Sequence, residues 1–195
     1  MGLPRHDDLV ARAQAGDAAA FDALVDESYA LVYSTALRLT GDPELAADAT
    51  QDAYVRAYNS LAGFRGQSAF TTWLYRIAVN VCLDHLRRRT RQPRSLPTAG
   101  TNPEDTAPLP LAAAAPTPQQ ETERHERQRL VQEALLRLSD DHRTVLVLFD
   151  LSGLTYEEIA QVTGVPLGTV KSRLNRARLA LRDELGPHLE LFDPL

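Results

Sequence analysis

The sequence is poor in cysteine and lacks long apolar runs. Cys82 is the single cysteine among 195 residues, which excludes an intramolecular disulfide framework and a cysteine-based zinc site. No segment approaches the roughly 18 consecutive apolar residues of a membrane helix, and the N-terminus has no apolar run of signal-peptide length. We therefore expect a soluble, cytoplasmic protein that does not insert into a membrane.

Catalytic motifs are also missing from the sequence. It has no glycine-rich phosphate loop, no His-x-x-x-His pair and no Ser/His/Asp set tied to strand ends. Its 5 histidines are scattered, mostly beside charged residues. We therefore expect no catalytic residue, no metal site and no cofactor, and a function other than that of an enzyme.

Charge is distributed unevenly along the chain. The 21 basic and 26 acidic residues give a net charge of −5, which argues against a protein that simply coats DNA. Residues 1–60 hold ten acids and four arginines, whereas residues 85–94 and residues 171–182 each hold five cations and no acid. Two such cationic blocks favour polyanion binding, and solvated helix ends are the alternative.

The chain divides into two halves that both have helical patterns, and no segment shows strand-like alternation. Residues 90–122 contain seven prolines and no aromatic residue. Proline removes a backbone donor and disfavours helix in the residue before it, so we expect no packed element there. The sequence predicts an all-α fold of two small helical domains, residues 1–89 and 123–186, joined by a flexible Pro/Ala-rich linker and followed by a tail at 187–195.

Helix ends in the first half are marked by local signals. An apolar stripe over residues 21–39 predicts a helix that stops at Gly41. Asp42 and Pro43 then supply an N-cap and a proline at the first helical position, which predicts the start of a second helix. A loop containing two glycines separates it from a long third helix, of about residues 69–89.

The second of these helices has an acidic face. Glu44, Asp48 and Asp52 are spaced four residues apart and share one side of the helix with Gln51. Negative charge is unsuited to DNA, but it complements a basic protein partner. An ordinary solvated face is the alternative interpretation.

The third helix and the loop before it carry candidate nucleic-acid contacts. A polar stripe at helical spacing consists of Asn80, Asp84, Arg87 and Arg88. Asparagine and arginine can contact base edges or phosphates. Nearby aromatic rings could stack on an unpaired base, and such stacking contributes roughly 1–3 kcal/mol per base. The nearby aromatic residues are Phe64, Phe70, Trp73 and Tyr75. The alternative is that Phe70, Trp73 and Ile77 belong to the core.

The strongest local signal lies in the second half. The segment from Thr155 to Glu158 matches a capping box, and the short helix that it opens ends at Gly164. After a turn, the last helix presents a polar and cationic face made of Thr169, Lys171, Ser172, Arg173 and Arg176. This pattern predicts a helix-turn-helix whose second helix fits the DNA major groove. An amphipathic surface helix with ordinary arginines is the alternative.

Two segments resemble the extracytoplasmic-function sigma factors of bacterial RNA polymerase. Region two of that family is similar to residues 64–88, which open with FRGQSAFTTWLYRIAVN. Region four is similar to residues 154–178, which contain LTYEEIA and GTVKSRL. The likeness covers about residues 7–89 and 123–185, and the two motifs in this order and spacing are highly specific.

The resemblance implies a non-catalytic subunit that binds core RNA polymerase and directs promoter recognition and melting. Region two would bind the clamp of the largest polymerase subunit through Asp48, Gln51 and Asp52. Its implied contacts to the minus-ten element are Phe64, Arg65, Gln67, Ser68, Asn80, Asp84, Arg87 and Arg88. Region four would lie at the polymerase flap, and its implied contacts to the minus-thirty-five element are Thr169, Lys171, Ser172, Arg173 and Arg176. The linker would run towards the RNA exit path, and an anti-sigma factor is a further partner that the resemblance allows.

A stand-alone helix-turn-helix repressor or activator is the competing hypothesis. Such a protein would need a dimerisation helix and a ligand domain, and residues 7–89 contain no pattern for either. An enzyme with an appended DNA-binding domain is a third hypothesis, and it fails because no catalytic constellation is present.

Overall fold

The computed structural model describes residues 6–91, 118–186 and 188. The first unit, residues 6–91, consists of α1 (His6–Gln14), α2 (Ala18–Thr40), α3 (Pro43–Ser60) and α4 (Phe70–Arg91). The second unit, residues 118–186, consists of α5 (Pro118–Arg137), α6 (Asp140–Leu146), α7 (Tyr156–Thr163) and α8 (Leu167–Leu185). These residues contain helices and no strand, which confirms the all-α prediction. Most of the predicted linker and tail lies outside the described residues.

Helix ends in the first unit follow the predicted local signals. Gly41 closes α2 in the left-handed conformation, at φ 70°, which glycine adopts without a steric penalty. The Asp42 side chain accepts hydrogen bonds from the backbone N–H groups of Glu44 and Leu45 at the start of α3. Helix α1 was not among the predicted helices, and it contributes two buried side chains, Leu9 and Val10, to the core.

The prediction of no packed element over residues 90–122 is wrong at both edges. Helix α4 continues to Arg91, and α5 begins at Pro118 rather than at residue 123. Proline is tolerated in the first turn of a helix because the N–H groups there have no intrahelical partner. Ion pairs on the surface of α5, such as the one between Arg129 and Glu126 at 2.7 Å, give that helix modest further support.

The junction of α5 and α6 is built around a buried arginine. Arg143 is only 7% exposed, and its guanidinium donates to the carbonyl oxygens of Leu135, Leu136 and Leu138 at the end of α5. The last carbonyl oxygens of a helix lack the usual N–H partner four residues ahead. Among the turn bonds of the described residues, only the Leu135 carbonyl oxygen of these three also accepts from a backbone N–H, that of Leu138 at 3.1 Å, so the guanidinium caps this helix end. After α6 the chain continues through one π-helical turn, residues 147–151, whose Val147 and Leu148 are buried.

The two units pack against each other, a contact that the sequence did not predict. Helix α2 lies against α5 and the π-helical turn, and α4 lies against α7. Buried apolar side chains of both units form one continuous cluster. At Gly41 the approach is so close that an added Cβ would lie 2.3 Å from Cδ1 of Leu136. None of the helices in the described ranges is long and apolar enough to cross a membrane.

Candidate polymerase and nucleic-acid interfaces

A cavity of about 630 Å³ opens between the loop after α3 and the first turns of α4. Its walls are formed by Gly63, Phe64, Arg65, Gln67, Ser68, Thr72, Trp73, Arg76 and Gln161. The four loop residues that the resemblance assigns to the minus-ten element are therefore together in one wall. The volume falls in the range of pockets that take small organic ligands, and a single nucleobase is of that class.

The aromatic residues near this cavity have two different roles. Phe70 is 4% exposed and Tyr75 is 5% exposed, so both belong to the core. Phe64 and Trp73 are only partly buried and line the cavity, with ring centroids 5.1 Å apart. The core alternative therefore holds for Phe70, and Trp73 and Ile77 are partly buried and pack against the core. Phe64 and Trp73 are the aromatic residues in the cavity wall.

The cavity loop is held in place from the first helix. Gln14, at the end of α1, donates from Nε2 to the carbonyl oxygens of Leu61 at 2.9 Å and Phe64 at 2.7 Å. Gly66 has a positive φ of 66°, which gives the loop its sharp turn. The Gln14 side chain therefore fixes the backbone of the loop, so the loop's own polar side chains are not needed to keep its conformation.

The polar stripe of α4 begins inside the cavity. Arg76 lines the cavity and lies one helical turn before Asn80, which is exposed. Asp84 lies 3.6 Å from Arg56 and 3.7 Å from Arg87, so its carboxylate is paired with two guanidinium groups. Sequence reasoning missed Arg76, although its four-residue spacing from Asn80 was a usable signal.

The acidic face of α3 is exposed, and its members are Glu44, Asp48, Gln51 and Asp52. Nε2 of His85 on α4 lies 2.9 Å from a carboxylate oxygen of Asp52. The same side of α3 continues into two exposed apolar side chains that the sequence did not single out, Val55 at 54% and Tyr58 at 56%. Their spacing of seven and ten residues from position 48 was the available signal.

A shallow apolar cavity of about 260 Å³ lies at this apolar end of α3. Its lining residues are Phe21, Tyr54, Val55, Tyr58 and Asn59. The rings of Phe21 and Tyr58 meet edge to face with centroids 5.0 Å apart. An acidic edge beside an apolar centre is the composition of a protein-binding surface, in which a polar rim surrounds a hydrophobic core.

The helix-turn-helix is formed by α7, a glycine turn and α8. Thr155 and Glu158 make the predicted capping box, and Gly164 ends α7 with φ 71°. Lys171, Ser172 and Arg176 are exposed on α8. The capping box and the Gly164 cap fix the two ends of α7, and they thereby fix the angle at which α8 leaves the turn.

Two residues of the predicted groove-facing set are less accessible for contact with DNA than the others. Thr169 is half-buried, and its carbonyl oxygen accepts a hydrogen bond from the Ser172 hydroxyl at 3.0 Å. Arg173 is paired with Asp141 of α6 at 2.9 Å. The ammonium of Lys171 lies 5.7 Å from the centre of the Tyr156 ring, within reach of a cation–π contact.

One cation of the α8 block, Arg178, has a structural role. Arg178 donates to both carboxylate oxygens of Asp150, at 3.1 Å and 2.5 Å, and its guanidinium lies 5.1 Å from the Phe149 ring centre. The hydrogen bond to Asp150 raises the pKa of Arg178 above its ordinary value. This cation therefore ties α8 to the π-helical turn, whereas Arg176 projects into solvent.

Both halves of the chain match known family profiles. The profile described as Sigma-70 region 2 matches residues 24–92, and the profile described as Sigma-70, region 4 matches residues 128–181. The first profile contains the acidic face, the cavity loop and the α4 stripe, and the second contains α8 up to residue 181.

Whole proteins and solved structures are also similar to this chain. The RNA polymerase sigma-H factor of Pseudomonas aeruginosa is 39% identical over 181 residues, which cover 93% of this chain and 94% of that protein. The ECF RNA polymerase sigma-E factor of Escherichia coli K12 is 36% identical over 179 residues, 92% of this chain and 93% of that protein. A structure of CnrH in complex with the cytosolic domain of CnrY has a TM-score of 0.68 at 26% identity and covers 92% of this chain and 96% of that chain. The sigma factor RpoE of Bartonella quintana, in complex with the anti-sigma factor NepR, has a TM-score of 0.61 at 25% identity and covers 85% of this chain and 97% of that chain.

Proposed function

Because this chain belongs to the extracytoplasmic-function family of RNA polymerase sigma factors, we propose that its first unit binds core polymerase and opens the minus-ten element while α8 reads the minus-thirty-five element. The chain is a non-catalytic specificity subunit that directs promoter-specific initiation of transcription. The single observation that supports the division of roles is that the Sigma-70 region 2 profile matches residues 24–92 and the Sigma-70, region 4 profile matches residues 128–181. Its proposed place of action is the cytoplasm, where polymerase and DNA meet.

Polymerase binding is assigned to the acidic face and the apolar residues beside it. Asp48, Gln51 and Asp52 provide negative and polar rim contacts for a basic surface on the polymerase clamp. Val55 and Tyr58, both more than half exposed, supply the apolar contact area that gives such an interface its affinity.

Minus-ten recognition is assigned to the cavity and the α4 stripe. Phe64 and Trp73 offer ring faces to a base that has left the stack, and Gln67 and Ser68 can hydrogen-bond its edge. Arg65 and Arg76 lie in the same walls and attract the strand through its phosphates.

The α4 stripe extends this surface beyond the cavity. Asn80 and Arg88 are exposed, and they provide contacts along the same strand. Asp84 and Arg87 are 3.7 Å apart, so the carboxylate orients the guanidinium. Binding an unpaired base stabilises the separated strands, and this is the physical basis of melting.

Minus-thirty-five recognition is assigned to the exposed face of α8. Arg176 has the length and the paired donors to reach guanine in the major groove, and Lys171 is placed as a point charge for phosphate. Arg173 is held by Asp141, so its assigned role is to contact phosphate from a fixed orientation.

Run-off transcription with purified core polymerase tests this function. The full chain is added to core enzyme and fragmented genomic DNA, and the 5′ ends of the transcripts are sequenced. We expect starts that depend on the chain and share two upstream sequence blocks. Core enzyme alone and a Lys171→Ala/Arg176→Ala variant are the controls. Sequence-specific DNA binding without any chain-dependent transcript would favour the repressor hypothesis instead.

An anti-sigma factor is proposed as a further partner. Support comes from the similarity to the Bartonella quintana sigma factor, which was solved with its anti-sigma factor NepR. The test is to isolate the tagged chain from its native cells and identify the bound proteins. A small protein that excludes core polymerase from the complex is the expected finding, and recovery with polymerase alone under all conditions would contradict it.

A further inference from the structure

One side chain of α1 reaches across the first unit to the loop that forms the cavity wall. Nε2 of Gln14 donates to the carbonyl oxygen of Leu61 at 2.9 Å and to that of Phe64 at 2.7 Å. A side-chain amide has two N–H donors, so this single group satisfies both acceptors at once. Gln14 therefore ties together the two ends of one turn, which lies 47 to 50 positions away in the chain.

The turn that Gln14 spans has little support of its own. It is a 3₁₀ turn over Leu61–Gly63, and the Phe64 N–H closes it by donating to the Leu61 carbonyl oxygen at 3.0 Å. Short 3₁₀ turns have poorer hydrogen-bond geometry than α-helices, and glycine on either side of Phe64, at positions 63 and 66, leaves the backbone conformationally free. The two bonds from Gln14 are therefore a main constraint on the backbone of Phe64.

The residue at the end of this turn presents its ring to the cavity. The Phe64 ring centroid lies 5.1 Å from that of Trp73, with 44° between the ring planes. It also lies 6.2 Å from the centroid of the buried Phe70 ring, in an edge-to-face arrangement. Phe64 and Trp73 both line the cavity. A shift of the Phe64 backbone therefore changes the spacing of the two rings on which a base can stack.

Gln14 is itself held independently of the loop. It is an exposed residue at the end of α1, and that helix is anchored in the core by Leu9 and Val10. One turn before the helix end, Arg12 donates from Nε and Nη2 to a carboxylate oxygen of Asp17 at 3.0 Å and 2.7 Å. The Asp17 side chain also caps the start of α2. The amide of Gln14 thus projects from a fixed helix end, and its loss removes no core side chain.

We propose that Gln14 is a positioning residue of the minus-ten site, which sets the Phe64 ring for the base that enters the cavity. The inference rests on the function proposed above, because that function assigns a base to the cavity. Gln14 acts through the backbone of Phe64 rather than by touching DNA. A loop that is ordered before DNA arrives loses less conformational freedom when the base binds, and this favours capture of the base. A fixed ring spacing also selects one base over the others.

Substitutions at position 14 separate the N–H donors from the rest of the side chain. Gln14→Met removes both donors and keeps an unbranched side chain, whereas Gln14→Lys keeps a group that can donate to two acceptors. Glutamine, methionine and lysine have similar helix propensities, so the change does not selectively weaken α1. Arg12→Met is the matched control, because Arg12 lies at the same helix end and its hydrogen bonds go to Asp17.

Fluorescence of the free chain provides the first measurement. Trp73 is the single tryptophan of the chain, and the Phe64 ring lies against it. Quenching of its emission by acrylamide, without DNA, therefore reports how well the Phe64 ring is held. We expect the quenching constant to rise about twofold for Gln14→Met, as the loss of a hydrogen-bonded anchor opens the loop. It should stay near the parent value for Gln14→Lys and Arg12→Met. Equal constants in all four proteins would overturn the proposal, whatever their activity.

Base preference of the holoenzyme provides the second measurement. Core polymerase is assembled with each full-length variant, and open-complex formation is compared on promoters in which each minus-ten base is varied in turn. Gln14→Met should lose about three- to tenfold of the preference at one position, where the base enters the cavity, and little elsewhere. Gln14→Lys should restore most of that preference, and Arg12→Met should keep it.

Two results of the second measurement would overturn the positioning role. One is an equal loss at every position for Gln14→Met, and the other is the same loss in Arg12→Met, since both are expected if α1 only stabilises the fold. A parent holoenzyme without any preference at the minus-ten element would instead count against the proposed function. The quenching constants would then still decide whether Gln14 holds the Phe64 ring.

Discussion

The two candidate DNA surfaces differ in shape more than in charge. In the first unit the surface is concave, with the rings of Phe64 and Trp73 in the walls of a cavity of about 630 Å³. In the second unit it is the convex face of α8, where Lys171 and Arg176 are exposed. A concave aromatic site suits one base out of its stack, whereas a cationic helix suits the groove of an intact duplex.

The difference shows that a count of cations is a poor guide to function. Arg76 lines a cavity, Arg176 projects into solvent, and Arg178 is fixed by Asp150 and Phe149. Arg143 is buried and caps a helix end. Exposure and the partner of each guanidinium decide whether it can meet DNA, and neither can be read from the sequence alone.

The largest expected effect separates partner binding from DNA binding. Asp48→Arg/Asp52→Arg should weaken binding to core polymerase by more than about 100-fold, because like charges placed across an interface cost several kcal/mol. Helical content should be unchanged, since both residues are exposed. The measurement is a titration of labelled chain with core enzyme, followed by circular dichroism.

Asp183→Arg is the matched control, because it reverses an exposed carboxylate on the second unit. It should leave core affinity within about twofold. An unchanged affinity for Asp48→Arg/Asp52→Arg would remove the acidic face from the polymerase interface. Equal loss in both variants would point to net charge as the cause.

The next effect tests the convex surface. Arg176→Ala in the holoenzyme should lose about 1–3 kcal/mol of binding at the preferred minus-thirty-five sequence and much less on a scrambled one. Arg182→Ala, an exposed cation near the end of the same helix, is the control. Competition between the two duplexes measures the ratio of the holoenzyme's affinities for them. Equal losses on both sequences would make Arg176 a phosphate contact.

Helix ends were predictable because their signals are local. The Asp42 carboxylate accepts from the backbone N–H groups two and three residues ahead. The Glu158 carboxylate accepts from the backbone N–H of Thr155, three residues before it. The pair of domains was predictable from the two motifs and the proline-rich segment between them. Each of these signals lies within a short window of sequence.

The missed features depend on contacts between distant residues. Thr72 and Glu158 are 86 positions apart, and Arg143 and Leu39 are 104 apart, so no periodicity connects them. Arg76 is a partial exception, because its four-residue spacing from Asn80 was a local signal, but the fold was needed to place it in a cavity wall. The interface between the units is of the same kind, because packing between helices depends on side-chain shape rather than on pattern.

A smaller effect tests whether the concave surface acts in melting. Asn80→Ala should reduce open-complex formation about tenfold on duplex promoter DNA and much less on a template already unpaired across its minus-ten region, since a base contact of about 1–3 kcal/mol would be lost during opening. Asn175→Ala, which changes an exposed asparagine on α8, should behave alike on both templates. Permanganate reactivity of the opened thymines is the readout. Equal loss on both templates would exclude a melting role for Asn80.

The smallest effect distinguishes a phosphate contact from an internal one on the convex surface. The Lys171 ammonium lies 5.7 Å from the centre of the Tyr156 ring, so its charge is either offered to DNA or used to hold α8 on α7. A phosphate contact predicts that Lys171→Ala weakens all duplexes a fewfold and lowers the slope of log affinity against log salt by about 0.9. Lys171→Gln removes the charge but keeps much of the side chain over the ring, so it should give the same slope as alanine. If the slope stays at its original value in both variants while the melting temperature falls in the alanine variant alone, Lys171 serves the fold, and the convex surface depends on Arg176 for its contact with DNA.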